Sequence, residues 1–168
     1  SEDTISTVFS CTKGIISILA ARLVEQGHLD LEAPVADYWP EFAAAGKQGI
    51  KVRTLLQHRA GLSAPRRDIS RSELLDGHSV ADALAAQEPI WEPDSNYGYH
   101  ALTFGHLVSK LIHCVSGLTA NEYLQKHVTG PLGADMWIGL PSEHHSRVAR
   151  LIGDGKFKSM NPETGSDQ

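Results

Sequence analysis

Val8-Phe9-Ser10-Cys11-Thr12-Lys13-Gly14-Ile15-Ile16-Ser17-Ile18-Leu19-Ala20-Ala21-Arg22-Leu23-Val24-Glu25-Gln26-Gly27 is the stretch on which the reading of this chain turns. Ile15, Ile16, Leu19 and Leu23 recur at helical spacing and build a broad apolar face, and Gly27 can end it, so the pattern predicts a helix over residues 10–26. Lys13 follows Ser10 by three positions, the sole Ser–Lys pair at that spacing in the chain. On a helix, residues i and i+3 share a face, so the ammonium reaches the hydroxyl. A serine hydroxyl is a weak nucleophile until a base or a nearby charge stabilises its alkoxide. The start of a helix adds a positive dipole end and unused N–H groups, both suited to an oxyanion. Taken as four letters, Ser-x-x-Lys describes an exposed helix cap equally well; its surroundings decide.

Outward from that helix the chain stays helical. Residues 29–38 read as a turn, with Pro34 opening a short helix, and 46–49 as a loop. A short helix is predicted over 52–57, closed near Gly61, and a loop over 63–68. Ser79 is placed to cap a helix through Ala86. Residues 88–98 hold two prolines, Asp94, Asn96 and Gly98 and read as a loop. A long helix follows from 101 to about 115, ended by Gly117. Thr119-Ala120-Asn121-Glu122 is a capping box that opens a helix to about His127, which Gly130-Pro131-Leu132-Gly133 should stop. Val8-Phe9 and Trp137-Ile138-Gly139-Leu140 are the only strand candidates.

At 168 residues, 41% hydrophobic and 21% charged, the chain is long enough for one core and too apolar to be disordered. A net charge of -5 supplies no basic field for nucleic acid. No run approaches the roughly 18 apolar residues of a membrane span, so neither a nucleic-acid nor a membrane partner is expected. The N-terminal residues lack the basic start of a signal peptide, which leaves a cytoplasmic setting as the expectation. Cys11 and Cys114 form no CxxC pair, which suggests neither a disulfide framework nor a zinc ribbon. Nine histidines include no HExxH, and the adjacent His144 and His145 would point apart on a helix, so no metal is expected. GxSxG, the P-loop and GxGxxG are all missing.

Val8 to Gly14, with the apolar helix and Gly27-His28-Leu29-Asp30-Leu31-Glu32-Ala33-Pro34 behind it, resembles the serine β-lactamase-like, penicillin-binding superfamily. Val52-Arg53-Thr54-Leu55-Leu56-Gln57-His58-Arg59-Ala60-Gly61-Leu62 is similar to its next shared segment. Trp91-Glu92-Pro93 with Tyr97-Gly98-Tyr99-His100 resembles the segment bearing its second catalytic motif, and Gly130 to Asp135 a later one. The resemblance runs from about residue 8 to 140 and is greatest to the family VIII carboxylesterases. It implies that the chain is mainly α, the helical subdomain of an α/β-plus-α β-lactamase/transpeptidase-like fold. Residues 1–152 would form the helical, nucleophile-bearing part and 153–168 a polar, mobile tail. The family's sheet-forming part and its third motif, a tripeptide on a strand, find no match in this sequence; Trp137-Ile138-Gly139 matches the latter in letters only.

The same resemblance implies Ser10 as nucleophile, Lys13 as its partner and Tyr99 as the general base or proton relay. A phenol with an ordinary pKa of about 10 needs neighbouring cations for that role, and Lys13 can be one. Tyr97 is the rival, read as packing near Tyr99; His100 is a neighbour of the site or a packing residue. The family usually carries Asn two residues after its Tyr, where this chain has Ala101, a departure that favours esters over β-lactams. The implied activity is hydrolysis of small carboxylic esters through an acyl-enzyme on Ser10, with no cofactor. A β-lactamase, a D-alanyl-D-alanine peptidase or a non-catalytic helical scaffold of the same superfamily are the alternatives. The expected partners are a small-molecule ester and, to complete the sheet, a second copy or a partner segment.

Overall fold

In the computed structural model, which describes residues 2–152, the nucleophile-bearing stretch is helix α1, Cys11–Glu25. Two 3-10 turns follow, Val35–Asp37 and Pro40–Ala43, then α2 (Val52–Leu56), α3 (Arg71–Leu75), α4 (Ser79–Ala86) and α5 (Thr103–Ser116). Helix α6 (Ala120–Leu124) runs through a π-helical turn, Gln125–Thr129, into α7 (Gly130–Leu132). Backbone contacts divide the chain into a main unit, Val8–Gly139, and a second made of residues 2–7 with 140–152. The polar tail read at 153–168 lies outside the described residues.

In the main unit, α1 buries Ile16, Leu19, Ala20 and Leu23. Helix α5 buries Phe104, Leu107, Val108, Leu111 and Ile112, and the two helices pack on each other. Each of the Leu, Ile, Val and Phe side chains among them, fully removed from water, contributes about 1.5–3 kcal/mol of hydrophobic stabilisation. Helices α2, α4 and α6 close around α5. Trp39 and Phe42, ring centroids 5.2 Å apart, fill the core from the 3-10 turns. Lys47 is fully buried there; its Nζ donates to Ala44 O at 2.7 Å and to Gln87 O, so its charge lies on carbonyls that tie this turn to the end of α4. Helix α5 ends at Gly117, whose φ of +73° suits the left-handed C-cap that glycine adopts without strain.

The second unit is small. Ile5 N donates to Arg147 O at 2.9 Å and Ala149 N to Ile5 O at 2.7 Å, an isolated parallel bridge beside the 3-10 turn Ser142–Arg147. No strand forms among the described residues. Neither strand candidate is one: Phe9 lies in a turn with a left-handed φ of +44°, Trp137 to Leu140 runs through a bend, and neither segment pairs with a neighbouring strand among the described residues. The helix expected to run to about His127 continues to Leu132 and ends at Gly133, φ +63°, the last residue of the expected stop segment. The π-helical turn makes this possible. It brings Gln125 O so close that a Cβ at Gly130 would lie 2.5 Å from it, and it sets Pro131 in the first turn of α7, where its missing N–H is not needed. Helix α3 was not foreseen from the sequence; its capping box pairs Ser70 with Glu73, and Arg67 holds Glu73 at 2.7 Å. No helix of the described residues is long and apolar enough to cross a membrane.

Candidate active site

Ser10 caps α1 from an exposed turn. Phe9 just before it has a φ of +44°, a left-handed conformation that a bulky side chain rarely adopts. That turn sends the amides of Cys11, Thr12 and Lys13 back to the carbonyls of Val8, Phe9 and Ser10 at 3.0–3.1 Å; the Ser10 amide is not among these donors. Lys13, one turn into the helix, donates from Nζ to Ser10 Oγ at 3.2 Å, as the i, i+3 spacing requires.

Tyr99 comes from the loop before α5, 89 residues along the chain, and its hydroxyl lies 2.9 Å from Ser10 Oγ. Lys13 completes the cluster: Nζ donates to Ala101 O at 2.6 Å and stands 4.9 Å from the centre of the Tyr99 ring. The Ser10 hydrogen bond first, and the Lys13 ammonium second, pull the Tyr99 phenol below its usual value. The three residues singled out in the sequence are thus within direct reach of one another. Their arrangement lets a proton leave Ser10 Oγ for a stabilised phenolate with a cation beside both oxygens.

What holds Tyr99 there was not visible in the sequence. The segment from His58 to Leu62 and the loop from Ile90 to His100 are cross-braced. Gly61 O accepts from Ile90 N at 2.7 Å, Arg59 O from Asp94 N at 3.1 Å and His58 O from Gly98 N at 3.2 Å. Beyond Tyr99, His58 Nδ1 accepts from His100 N at 3.1 Å, and His100 Nε2 accepts from Leu62 N at 3.0 Å. His58 therefore grips the chain on both sides of Tyr99, by its carbonyl and by its ring, and the ring lies 5.1 Å from the Tyr99 ring. Two glycines permit the close approach: a Cβ at Gly61, φ +71°, would lie 2.7 Å from Trp91 O, and one at Gly98 2.4 Å from the Trp91 ring.

Both histidines must be neutral to accept these bonds. Burial, then His100, then the Lys13 charge hold His58 below the usual histidine range, and burial does the same for His100. His100, 1% exposed, is thus a buried brace that does not touch Ser10, Lys13 or the phenol. Tyr97 is 66% exposed and meets the edge of His58 at 6.1 Å, which puts it beside the brace, where it does not reach Ser10. Ala101, at the position of the family's amide, is exposed and offers the site only its carbonyl. Among the described residues, no group of three or more His, Cys, Asp or Glu is placed to hold a metal ion.

A family model described as Beta-lactamase matches residues 1–166. The esterase/beta-lactamase LipL of Mycobacterium tuberculosis is 39% identical over 154 residues, covering 90% of this chain and 35% of that protein. Among solved structures, a family VIII carboxylesterase superposes with a TM-score of 0.87 at 39% identity, over 90% of this chain and 42% of that one. A penicillin-binding protein homolog from Caulobacter crescentus does so with a TM-score of 0.86 at 40% identity, over 90% and 41%. The chain therefore spans about a third of the length of the curated relative it matches.

Proposed function

The chain belongs to the beta-lactamase family, and on that premise we propose that it carries the nucleophile and proton-transfer groups of a serine esterase acting on small carboxylic esters. The observation that carries the reading is the Ser10–Tyr99–Lys13 triangle, with contacts of 2.9 and 3.2 Å to a single Oγ. Ser10 Oγ attacks the ester carbonyl carbon as its proton passes to the Tyr99 oxygen. Collapse of the tetrahedral adduct expels the alcohol, which takes that proton, and leaves the acyl group on Ser10. Water then attacks the acyl carbon, gives a proton to Tyr99, and the acid leaves as Ser10 regains it. Lys13 stabilises the phenolate and the developing alkoxide, and its bond to Ala101 O fixes the ammonium. The Ser10 amide at the head of α1 supplies one donor to the oxyanion, a contribution typically worth about 10²–10³ in kcat.

The ester preference over a β-lactam rests on Ala101. A side chain with no amide offers no hydrogen bond to the amide groups of a β-lactam or peptide substrate, a contact that a simple ester does not need. The similar family VIII structure is described as a carboxylesterase, which agrees with this direction, whereas LipL is described as both esterase and beta-lactamase. A fluorophosphonate probe tests the nucleophile: peptide mapping should find the adduct on Ser10, and Ser10→Ala should abolish it. An adduct on any other serine removes the basis of the assignment.

A further inference from the structure

The loop that delivers Tyr99 has little packing to hold it. Asp94, Ser95, Asn96 and Tyr97 are all exposed, and against residues 88–94 lies a cavity of about 820 Å³, bounded on its other side by Ala45, Gly46, Gly49 and Ile50. Hydrogen bonds must do here what burial does not. In the middle of the loop Asp94 adopts a φ of +65°, a left-handed conformation that glycine takes without strain. Its side chain supplies what a glycine would lack. Oδ2 accepts from Thr54 Oγ1 at 2.8 Å, and Oδ1 accepts from Arg59 Nε at 3.2 Å. The circuit closes through the backbone: Asp94 N donates to Arg59 O at 3.1 Å, Arg59 N donates to Thr54 O at 3.0 Å, and the end of the Arg59 guanidinium donates to Asp94 O. Thr54 is fully buried in α2, so the circuit ties an exposed loop to the core. The ion pair alone does not account for the arrangement, since the Arg59 and Asp94 side chains are 39% and 50% exposed and such pairs contribute little to stability.

We propose that Asp94 is a positioning residue for Tyr99: through Thr54 and Arg59 it fixes the loop on α2, and so sets the Tyr99 hydroxyl on Ser10 Oγ. The inference rests on the reading of Tyr99 as the proton-transfer group. The mechanical route is short. Helix α2 packs on α5, and α5 packs on α1, the helix that Ser10 heads. The loop is registered to the end of α2 at Asp94 and again at Gly98, whose N donates to His58 O at 3.2 Å, and Tyr99 then meets Ser10 Oγ at 2.9 Å. His58 grips the chain next to Tyr99, whereas Asp94 holds the arm of the loop that the His58 bonds do not reach. What the circuit supplies is geometry, so an uncharged side chain of the same shape serves it. Asparagine tolerates the left-handed backbone, its Oδ1 accepts from Arg59 Nε, and its Nδ2 donates to Thr54 Oγ1, a hydroxyl that also accepts. Glycine keeps the backbone conformation and loses both side-chain contacts. Relief of strain alone would make Asp94→Gly at least as active as the wild type; loss of the circuit makes it less active.

The test compares Asp94→Gly, Asp94→Asn and Thr54→Val in the full-length protein, by hydrolysis of a short-chain aryl ester and by amide hydrogen exchange. Asp94→Gly should lower kcat about 10- to 100-fold with KM little changed, since a displacement of about 1 Å at a reacting group is worth roughly 10² in rate. Asp94→Asn should bring kcat back to within a few-fold of wild type. Thr54→Val should lower kcat as well, and the Asp94→Gly/Thr54→Val protein should lose less than the product of the two single losses, because both changes cut the same contact. Amide exchange over residues 96–101 should quicken in Asp94→Gly and stay near wild type in Asp94→Asn, while exchange over α6 stays unchanged in both. Wild-type kcat in Asp94→Gly, or a loss that Asp94→Asn does not recover, overturns the inference. Equal quickening over α6 marks a general loss of stability and overturns it too. Hydrolysis that survives Ser10→Ala, or full activity in Tyr99→Phe, overturns the catalytic reading instead, and the exchange over residues 96–101 in Asp94→Gly then still decides whether Asp94 holds the loop.

Discussion

Replacing His58 by alanine is expected to disarm the site although His58 itself makes no hydrogen bond to Ser10. The change removes the Nδ1 acceptor, leaving the His100 amide, bonded at 3.1 Å, without a partner. An unsatisfied buried donor costs about 1–3 kcal/mol. Lost ring contacts to Phe104 at 4.7 Å and Tyr99 at 5.1 Å add to this at about 0.5–1.5 kcal/mol each. A fall of about 2–6 kcal/mol in unfolding free energy is the expected total, readable in urea melts. With one side of its brace gone, Tyr99 moves relative to Ser10 Oγ, and a displacement of about 1 Å at a reacting group is worth roughly 10² in rate. The loss should fall on kcat for a short-chain aryl ester, with KM little changed, since His58 is a positioning residue. His58→Asn is the informative control. Its Oδ1 branches from Cγ as Nδ1 does, and asparagine tolerates the left-handed backbone that His58 adopts at φ +60°. Asn should therefore recover much of the lost kcat and, having no proton to gain, should remove the acid limb that His58 contributes. With the folded pKa held below the ordinary histidine value of about 6.5, the acceptor is intact above that pH. Its stabilisation is lost as pH falls from there through the lowered value, because the unfolded chain binds the proton first. A His58→Ala protein with wild-type kcat and an unshifted pH profile would refute the brace.

Lys13→Ala and Tyr99→Phe should each lower kcat by about 10²–10⁴ with far-ultraviolet circular dichroism unchanged; full activity in Tyr99→Phe would move the proton-transfer role elsewhere. Short-chain aryl esters should be hydrolysed far faster than a chromogenic cephalosporin, and Ala101→Asn should narrow the gap; comparable kcat/KM for the two substrates in the wild type contradicts the esterase reading. Thr119→Ala removes the oxygen that accepts from Glu122 N at 3.2 Å and should cost about 1 kcal/mol, seen as a Tm lower by roughly 2–4 °C. Phe9 and Ile18 are 68% and 55% exposed, so the 168-residue chain expressed alone should self-associate, and Ile18→Glu should raise its monomer fraction in light scattering.

The helical character of the chain was open to reading because its causes are local. The 3.6-residue recurrence of Ile16, Leu19 and Leu23, the glycine after Ser116 and the Thr119–Glu122 box each act within a turn or two of backbone, and α1, α5 and α6 lie where those signals put them. Where a local signal was weak, the reading failed: α3 is five residues long and buries none of its side chains, so it has no apolar period to detect, although Ser70 and Glu73 spell its cap. The continuation through Gly130 was hidden because a π-helical turn changes which carbonyl each amide meets, and no spacing in the letters announces it.

The site divides along the same line. Ser10 and Lys13 share a helix face by spacing alone, and that much belongs to the sequence. Tyr99 reached the list only through likeness to a family, since nothing local ties a loop tyrosine to a serine 89 residues away. Their meeting, the landing of Lys13 on Ala101 O and the grip of His58 on both sides of Tyr99 all depend on how α1 packs against α5 and how the 90–100 loop lies across residues 58–62. A hydrogen bond's direction and length are set by three-dimensional placement. Local spacing constrains placement only within one element, and the burial of apolar faces between elements decides the rest.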